Sequence, residues 1–335
     1  MHQRVSINEI ARLARVSKGT VSKVLNSRPG VGPETRQRVT ELADRLGYYP
    51  DASAQALSYG KSSTIGLIAP HTLDQMTGNQ YWLELILAVT QRASDHSYRT
   101  VLFTPRTPDE VAAVYKQALV ARQIDGLVIA SDVLDRTGLV SLSERGTPFV
   151  MIGRNPEFAH VCVDVNNRDT AFDLTRYMID RNYPRVALLV PEPRYFYSFE
   201  REQGYRDAMD GQGLEPITVV LTGDRQRDAQ VLRETAGRVD GWLISQGGEF
   251  FSVVFDAFGA AGLELKAFGL TIFDDWRGLD FVSPPLTAAR QPVVQMGTVA
   301  TDHLIALMSG AGEQPAQTTI IPTTIIPRQS CGEAT

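Results

Sequence analysis

Side chains suited to covalent chemistry are few in this sequence, and they are scattered. The five histidines stand at positions 2, 71, 96, 160 and 303, with no clustered His/Asp/Cys set. No GxxxxGK[ST] loop and no GxSxG elbow occurs. The two cysteines, Cys162 and Cys331, lie far apart in no metal-ligand spacing. Cys162 sits in the apolar run 160–165 and reads as a buried thiol, whereas Cys331 belongs to a polar tail. Catalysis, a metal and a cofactor are therefore not expected. Small polar and basic side chains, by contrast, are concentrated in one stretch. Ser17, Lys18, Gly19, Thr20, Ser22 and Lys23 follow one another closely, with Arg15 before and Asn26 after. Such a set hydrogen-bonds to nucleic acid and does not break bonds.

Two short helices are needed to present that stretch. Ile7, Ile10, Ala11, Leu13 and Ala14 form one apolar stripe, with Ser6 as N-cap and Glu9 three residues on in a capping-box arrangement. Val16 breaks the period. Ser17 then caps a second helix with Val21, Val24 and Leu25 on its apolar face. Two helices and a tight turn, the second narrow enough for a major groove, make the sequence form of a helix-turn-helix. A third helix opens at Pro33-Glu34-Thr35, uses Val39, Leu42, Ala43 and Leu46, and ends at Gly47. Residues 51–60, DASAQALSYG, are helix-compatible but too short to be stable alone in water, so they read as a helix conditional on a partner.

Charge is distributed in agreement with this. The whole chain of 335 residues carries a net charge of -5, which argues against a nucleic-acid binder. Residues 1–61, however, hold ten Lys and Arg against five acids, and the remainder holds 23 against 33. A basic head on an acidic body lets the phosphate backbone attract the head alone. No apolar signal core and no apolar run of transmembrane length appears, so a cytoplasmic protein with no membrane partner is expected. The low cysteine count fits a reducing compartment.

From Thr64 onward, strands alternate with helices. Strands are expected at 65–69, 100–103, 126–130 and 148–152, with helices at 81–93, 109–122 and 137–144 between them. After a strand-like connection at 161–165 the pattern restarts, and runs to a strand at 267–272. A long helix at 291–308 and an apolar, β-branched run at 317–326 cross back between the halves. The βαβ order implies parallel sheets covered on both faces. Two such lobes with several crossovers hold a ligand between them, at the strand C-terminal ends.

Five stretches together resemble the LacI/GalR family of bacterial transcription regulators: IARLARVSKGTVSKVLN, VGPETRQRVTELADRLGYYPD, ASAQALSYGKSSTIGLI, REQGYRDAM and FDD…SPPLTAARQPVVQMG. The implied fold is α + α/β. An N-terminal three-helix helix-turn-helix domain (1–50) and a hinge helix with linker (51–62) precede an effector-binding and dimerisation region (63–335). That region comprises two doubly wound lobes of periplasmic-binding-protein-like type, lobe 1 at 63–161 and 292–321 and lobe 2 at 162–291 and 322–330. The implied partners are a pseudo-palindromic operator DNA, a second copy of the chain and a small effector. Lys18, Gly19 and Lys23 would face the groove. Lys23 would reach guanine O6/N7, worth about 1–3 kcal/mol of discrimination. Ser17, Thr20, Ser22 and Asn26 would hold phosphates, and Ala54 and Leu57 would enter the minor groove, with Leu57 as a wedge. Asn79, Tyr81, Trp82, Arg154, Arg201, Gln246 and Asp274 would line the effector cleft, while Asp275 takes a structural role.

The sequence also departs from the family. Gln246-Gly247-Gly248-Glu249 replaces a usual Asn-Asp pair, the loop 71–78 is long, and 194–199 is unusually aromatic. Effector identity does not transfer for this reason. Two arginines in the cleft lean toward a sugar acid or sugar phosphate over a neutral sugar. Two alternatives stand beside this reading: a solute-binding protein without a regulatory role, and a regulator with a non-sugar corepressor such as a purine. The short polar tail carries no leucine heptad, so a homodimer is expected in preference to a tail-assembled tetramer.

Overall fold

The computed structural model describes residues 5–25, 29–48, 62–69, 71–107, 110–120, 124–130, 136–155, 158, 160–192, 196–310 and 317–332. Asn26 and the expected hinge helix at 51–60, with Ala54 and Leu57, lie outside the described residues. The chain divides into two compact units, Met1–Ser62 and Ser63–Thr335.

The first unit has three described helices, α1 (Ile7–Ala14), α2 (Lys18–Leu25) and α3 (Pro33–Arg45). The Ser6 hydroxyl accepts the Glu9 N–H at 3.3 Å, satisfying one orphan donor of α1. Arg15 ends α1 in the left-handed region at φ 53°, and Val16 N–H then returns to the Ala11 carbonyl. Arg36 of α3 donates to the Val24 carbonyl in the last turn of α2 at 3.4 Å, tying the two helices together. Ile10, Ala14, Val21, Val24 and Val39 form the core. Leu13, expected on the buried stripe, is 42% exposed and is not part of the head's core.

The second unit contains two six-stranded sheets among the described residues. In lobe 1 the strands are β1 (Thr64–Ile68), β2 (Arg99–Phe103), β3 (Gly126–Ala130), β4 (Phe149–Ile152) and β5 (Cys162–Val165). The helices α4 (Leu73–Met76), α5 (Gln80–Asp95), α6 (Val111–Val120) and α7 (Arg136–Glu144) connect them. Lobe 2 follows with α8 (Asn167–Ile179), β6 (Val186–Pro191), α9 (Phe196–Asp210), β7 (Ile217–Leu221) and α10 (Arg225–Ala236). It continues through β8 (Gly241–Ile244), α11 (Glu249–Ala261), β9 (Gly269–Phe273) and β10 (Thr287–Arg290). The chain returns to lobe 1 for α12 (Val293–Met308) and β11 (Thr318–Ile321), then to lobe 2 for β12 (Thr324–Ile326).

The strand orders are β11-β5-β4-β3-β1-β2 and β12-β10-β9-β8-β6-β7, parallel except for the antiparallel β10–β12 pair. The central strands TIGLI, GLVIA, VALLVP and GLTIF are buried at every residue, as parallel strands covered on both faces must be. Edge strand β2 is largely exposed.

Three expectations change here. Cys162–Val165 is a full strand of the lobe 1 sheet, bonded to both β4 and β11, so the first crossing follows Val165 and not residue 161. The run 317–326 is two strands, one in each sheet, divided at Pro322-Thr323. The tail holding Cys331 is buried: Leu270 N–H bonds to the Ser330 carbonyl, and the Cys331 thiol to the Leu270 carbonyl. Backbone pairing with β9 draws this polar segment inward, and burial raises the Cys331 pKa to about 11. The crossings are stitched together where the Asn166 carboxamide accepts the Thr323 N–H at 3.0 Å.

Candidate functional site

In the first unit, the face of α2 opposite Val21 and Val24 carries Lys18, Gly19 and Lys23, all exposed. Ser17 Oγ accepts the Thr20 N–H at 3.1 Å and lies 2.9 Å from Thr20 Oγ1. Ser17 and Thr20 thus brace each other at the start of the helix, in addition to any contact made outside the chain. Ser22 is partly buried on the same helix.

In the second unit, all seven expected cleft residues line one cavity of about 170 Å³ between the lobes. Asn79 caps α5, its Oδ1 accepting the Tyr81 N–H at 3.1 Å. Trp82 is almost fully buried, with its ring 4.7 Å from His71 and edge-on to Tyr81, so it serves the lobe core and the cavity wall together.

Arg201 is 3% exposed. Its guanidinium lies 3.8 Å from the Phe273 ring centroid and 4.5 Å from that of Tyr197. Nε donates to Asn167 Oδ1 at 2.8 Å and Nη1 to the Ser245 carbonyl at 2.6 Å, leaving Nη2 without a hydrogen bond among the described residues. A guanidinium fixed by two bonds and two rings is a preorganised donor. Its helix comes close enough because Gly204 packs on α8: a Cβ there would fall on the Arg168 carbonyl oxygen.

Asp274 takes φ 71°, a left-handed conformation uncommon outside glycine. Its Oδ2 accepts the Gly247 N–H at 2.9 Å, and its Oδ1 accepts from Gln291. Gln246 accepts from the Tyr197 hydroxyl at 2.7 Å. Asp275 is structural, as expected: its side chain is 2% exposed and it pairs with Arg290 at 2.5 Å and Arg328 at 2.7 Å.

Arg154 changes the charge reading. Its Nε lies 3.2 Å from Asp164 Oδ2, and its Nη2 donates to Glu200 Oε1. The Glu200 hydrogen bond raises the Arg154 pKa. This guanidinium is therefore neutralised by the chain itself. The lining holds Arg154 and Arg201 against Asp164, Glu249 and Asp274, so two arginines do not make an anion site. The lean toward a sugar acid or sugar phosphate lacks electrostatic support.

Asp164 is raised to about 6, chiefly by burial; the Val165 N–H and the two arginines pull the other way. Burial lowers His71 to about 4, keeping its imidazole neutral.

Sequence reasoning missed His71, Asp164, Asn167, Phe196 and Gln291, which also line the cavity. Phe196 and Tyr197 lie in the aromatic run already noted, and His71 in the long loop. Gln291 stands at the head of the expected helix 291–308, which begins two residues later, at Val293. Nothing local marks Asp164, whose strand reads as apolar core. Among the described residues no group of three or more His, Cys, Asp or Glu is placed to hold a metal ion, and no helix is long and apolar enough to cross a membrane.

A helix-turn-helix head with a basic exposed face, followed in the chain by a two-lobed body with a charged and aromatic cleft, defines a ligand-responsive DNA-binding regulator. Residues 6–51 match the description "Bacterial regulatory proteins, lacI family". Residues 62–235 match "Periplasmic binding proteins and sugar binding domain of LacI family", and residues 175–331 a "Periplasmic binding protein-like domain". The chain is 31% identical over 322 residues to an uncharacterized HTH-type transcriptional regulator in the aml 5' region of Streptomyces limosus, covering 89% of this chain and 86% of that protein. It is 28% identical over 346 residues to the HTH-type transcriptional regulator CelR of Thermobifida fusca, covering 98% of each. A crystal structure of the lac repressor dimer bound to operator and the anti-inducer ONPF shares the fold, with a TM-score of 0.82 at 20% identity over 99% of this chain and 100% of that one. The chain belongs to the LacI family of bacterial DNA-binding transcriptional regulators; the relatives named here are regulators, not enzymes.

Proposed function

We propose that this protein is a cytoplasmic repressor that binds a pseudo-palindromic operator as a homodimer and is controlled by a small neutral sugar held between its lobes. The observation that carries the reading is the convergence of Asn79, Tyr81, Trp82, Arg154, Arg201, Gln246 and Asp274 on one interlobe cavity. Fixed donors and acceptors beside aromatic rings suit hydroxyls on an apolar sugar face. Arg201 Nη2 donates to the ligand, and Asp274 and Gln246 accept from it. The near balance of charge in the lining favours a neutral molecule.

At the DNA, Lys18 and Lys23 read base edges from α2, and Gly19 permits close approach. Ser17, Thr20, Ser22 and Asn26 position the helix on phosphates. Residues 51–62 form the hinge that couples head to body, with Ala54 and Leu57 in the minor groove. The ligand acts by preferring one lobe arrangement, which changes operator affinity by its differential binding to the two. Leu83 and Leu87, one turn apart on α5, are 61% and 48% exposed, and Val294 on α12 is 55% exposed; these apolar side chains support a lobe 1 contact with a second copy.

Tyr81, Phe196 and Tyr197 give a purine corepressor its own footing, since their rings would also stack on a base. Calorimetry on the full chain with neutral sugars, aldonic acids and purines separates the readings, with footprinting on selected operator DNA in parallel. Neutral sugars should bind and alter the footprint. Binding by acids alone or purines alone rejects the neutral-sugar effector.

A further inference from the structure

The cleft does not end at Asp274. A second cavity of about 350 Å³ lies on the far side of Asn79, Tyr81, Asp274 and Gln291, and these four residues line both spaces. We infer that this second compartment is a subsite for a further sugar unit, and that the effector is a neutral oligosaccharide of two or more units. This deepens the sugar reading of the cleft and rests on it.

The compartment has the materials of a carbohydrate site. Trp276 supplies an aromatic wall and is held in place: its ring meets Phe251 edge-on at 4.8 Å and 88°. It also packs against two glycines. A Cβ on Gly278 would come within 2.5 Å of the indole nitrogen, and one on Gly247 within 3.0 Å of the ring. Gly247 itself lines the first compartment, so Trp276 stands beside the boundary between the two. Indole rings suit the apolar faces of pyranoses.

The polar lining is fixed in the same way. Arg290 donates to Asp275 through Nε and Nη2 at 2.8 and 2.5 Å, and Arg328 pairs with Asp275 and Asp280 at 2.7 and 2.6 Å. Glu84 accepts from Gln80. Arg277 is exposed and makes no hydrogen bond or ion pair among the described residues, so its donors are available to a ligand. Three guanidiniums face the four carboxylates Glu84, Asp274, Asp275 and Asp280 in this lining, so it too selects no net charge. A single pyranose held by Arg201 and Asp274 leaves this compartment empty, whereas a second unit linked past Asp274 enters it.

Calorimetry on the full chain with cellobiose, maltose and lactose, against glucose and galactose, tests this directly. At least one disaccharide should bind about tenfold or more tighter than either monosaccharide. Trp276→Ala and Arg277→Ala should each lower that disaccharide-to-monosaccharide ratio, by about tenfold and threefold respectively. Arg277 is exposed, so its replacement does not threaten folding. A ratio near one, or a ratio unmoved by both variants, overturns the second subsite while leaving a monosaccharide effector in place. Binding by no sugar of either length overturns the sugar reading itself.

Discussion

Arg154, two residues past β4 of lobe 1, donates through Nη2 to Glu200 on α9 of lobe 2, so a guanidinium of one lobe is tied to a carboxylate of the other across the cleft. Asp164 holds the same guanidinium from within lobe 1. The pair links lobe closure to the cavity lining. A double-mutant cycle of Arg154→Met and Glu200→Gln on sugar affinity should give a coupling of about 0.5–1 kcal/mol, modest because a third of the Arg154 side chain is exposed. Strictly additive effects would remove the pair from lobe closure.

Arg201→Ala should abolish the ligand response while operator binding persists. The lost charge-assisted bond is worth about 1.5–3 kcal/mol, and Asn167 and the Ser245 carbonyl lose their donor as well. Titration calorimetry and gel shifts read the two activities separately. A variant that still responds fully would place the ligand elsewhere.

Gly248 takes φ 63° and ψ -135°, backbone that side chains avoid, and a Cβ there would stand 2.5 Å from Asn79 Nδ2 of the other lobe. Gly248→Ala should cost about 1–3 kcal/mol and weaken sugar binding by holding the lobes apart. Small-angle scattering should report a wider cleft, and unchanged affinity would contradict this.

Two groups give opposing pH dependences. The folded pKa of Asp164, about 6, lies above its ordinary 3.8, so its contribution to stability is fully present below about pH 4 and lost as pH rises through 6. The folded pKa of His71, about 4, lies below its ordinary 6.5, so its contribution is fully present above pH 6.5 and lost as pH falls through 4. Urea melts between pH 4 and 7 should show Asp164→Asn gaining stability relative to the parent as pH rises, and His71→Gln gaining as pH falls. Parallel curves would remove both groups from the balance.

Leu57→Ala should leave the fold and sugar binding intact and weaken operator affinity by tenfold or more, since unstacking a base step involves about a few kcal/mol. Equal affinity in gel shifts would refute the wedge.

How much of this was legible in the sequence follows from the range of each interaction. The helices of the head, the Ser6 cap and the Ser17 turn are local, and the patterns at residues 6–25 and 33–47 determined them. The alternation of buried strands with amphipathic helices determined the two lobes. Asp164, Asn167 and Gln291 were missed because strand and crossover residues reach a site only when two sheets are set side by side.

The sequence by itself determined a basic helix-turn-helix head and two parallel-sheet lobes, because cap chemistry and periodicity act along the chain, and its resemblance to the LacI/GalR family pointed to Arg201 and Asp274 at the cleft. Tertiary structure alone decided that β5 belongs to the first sheet, that the polar tail of Cys331 is drawn inward, and that Arg154 is neutralised by Asp164 and Glu200. Those outcomes depend on which backbone edges pair and which charges meet, and burial sets their energies only after the lobes are packed.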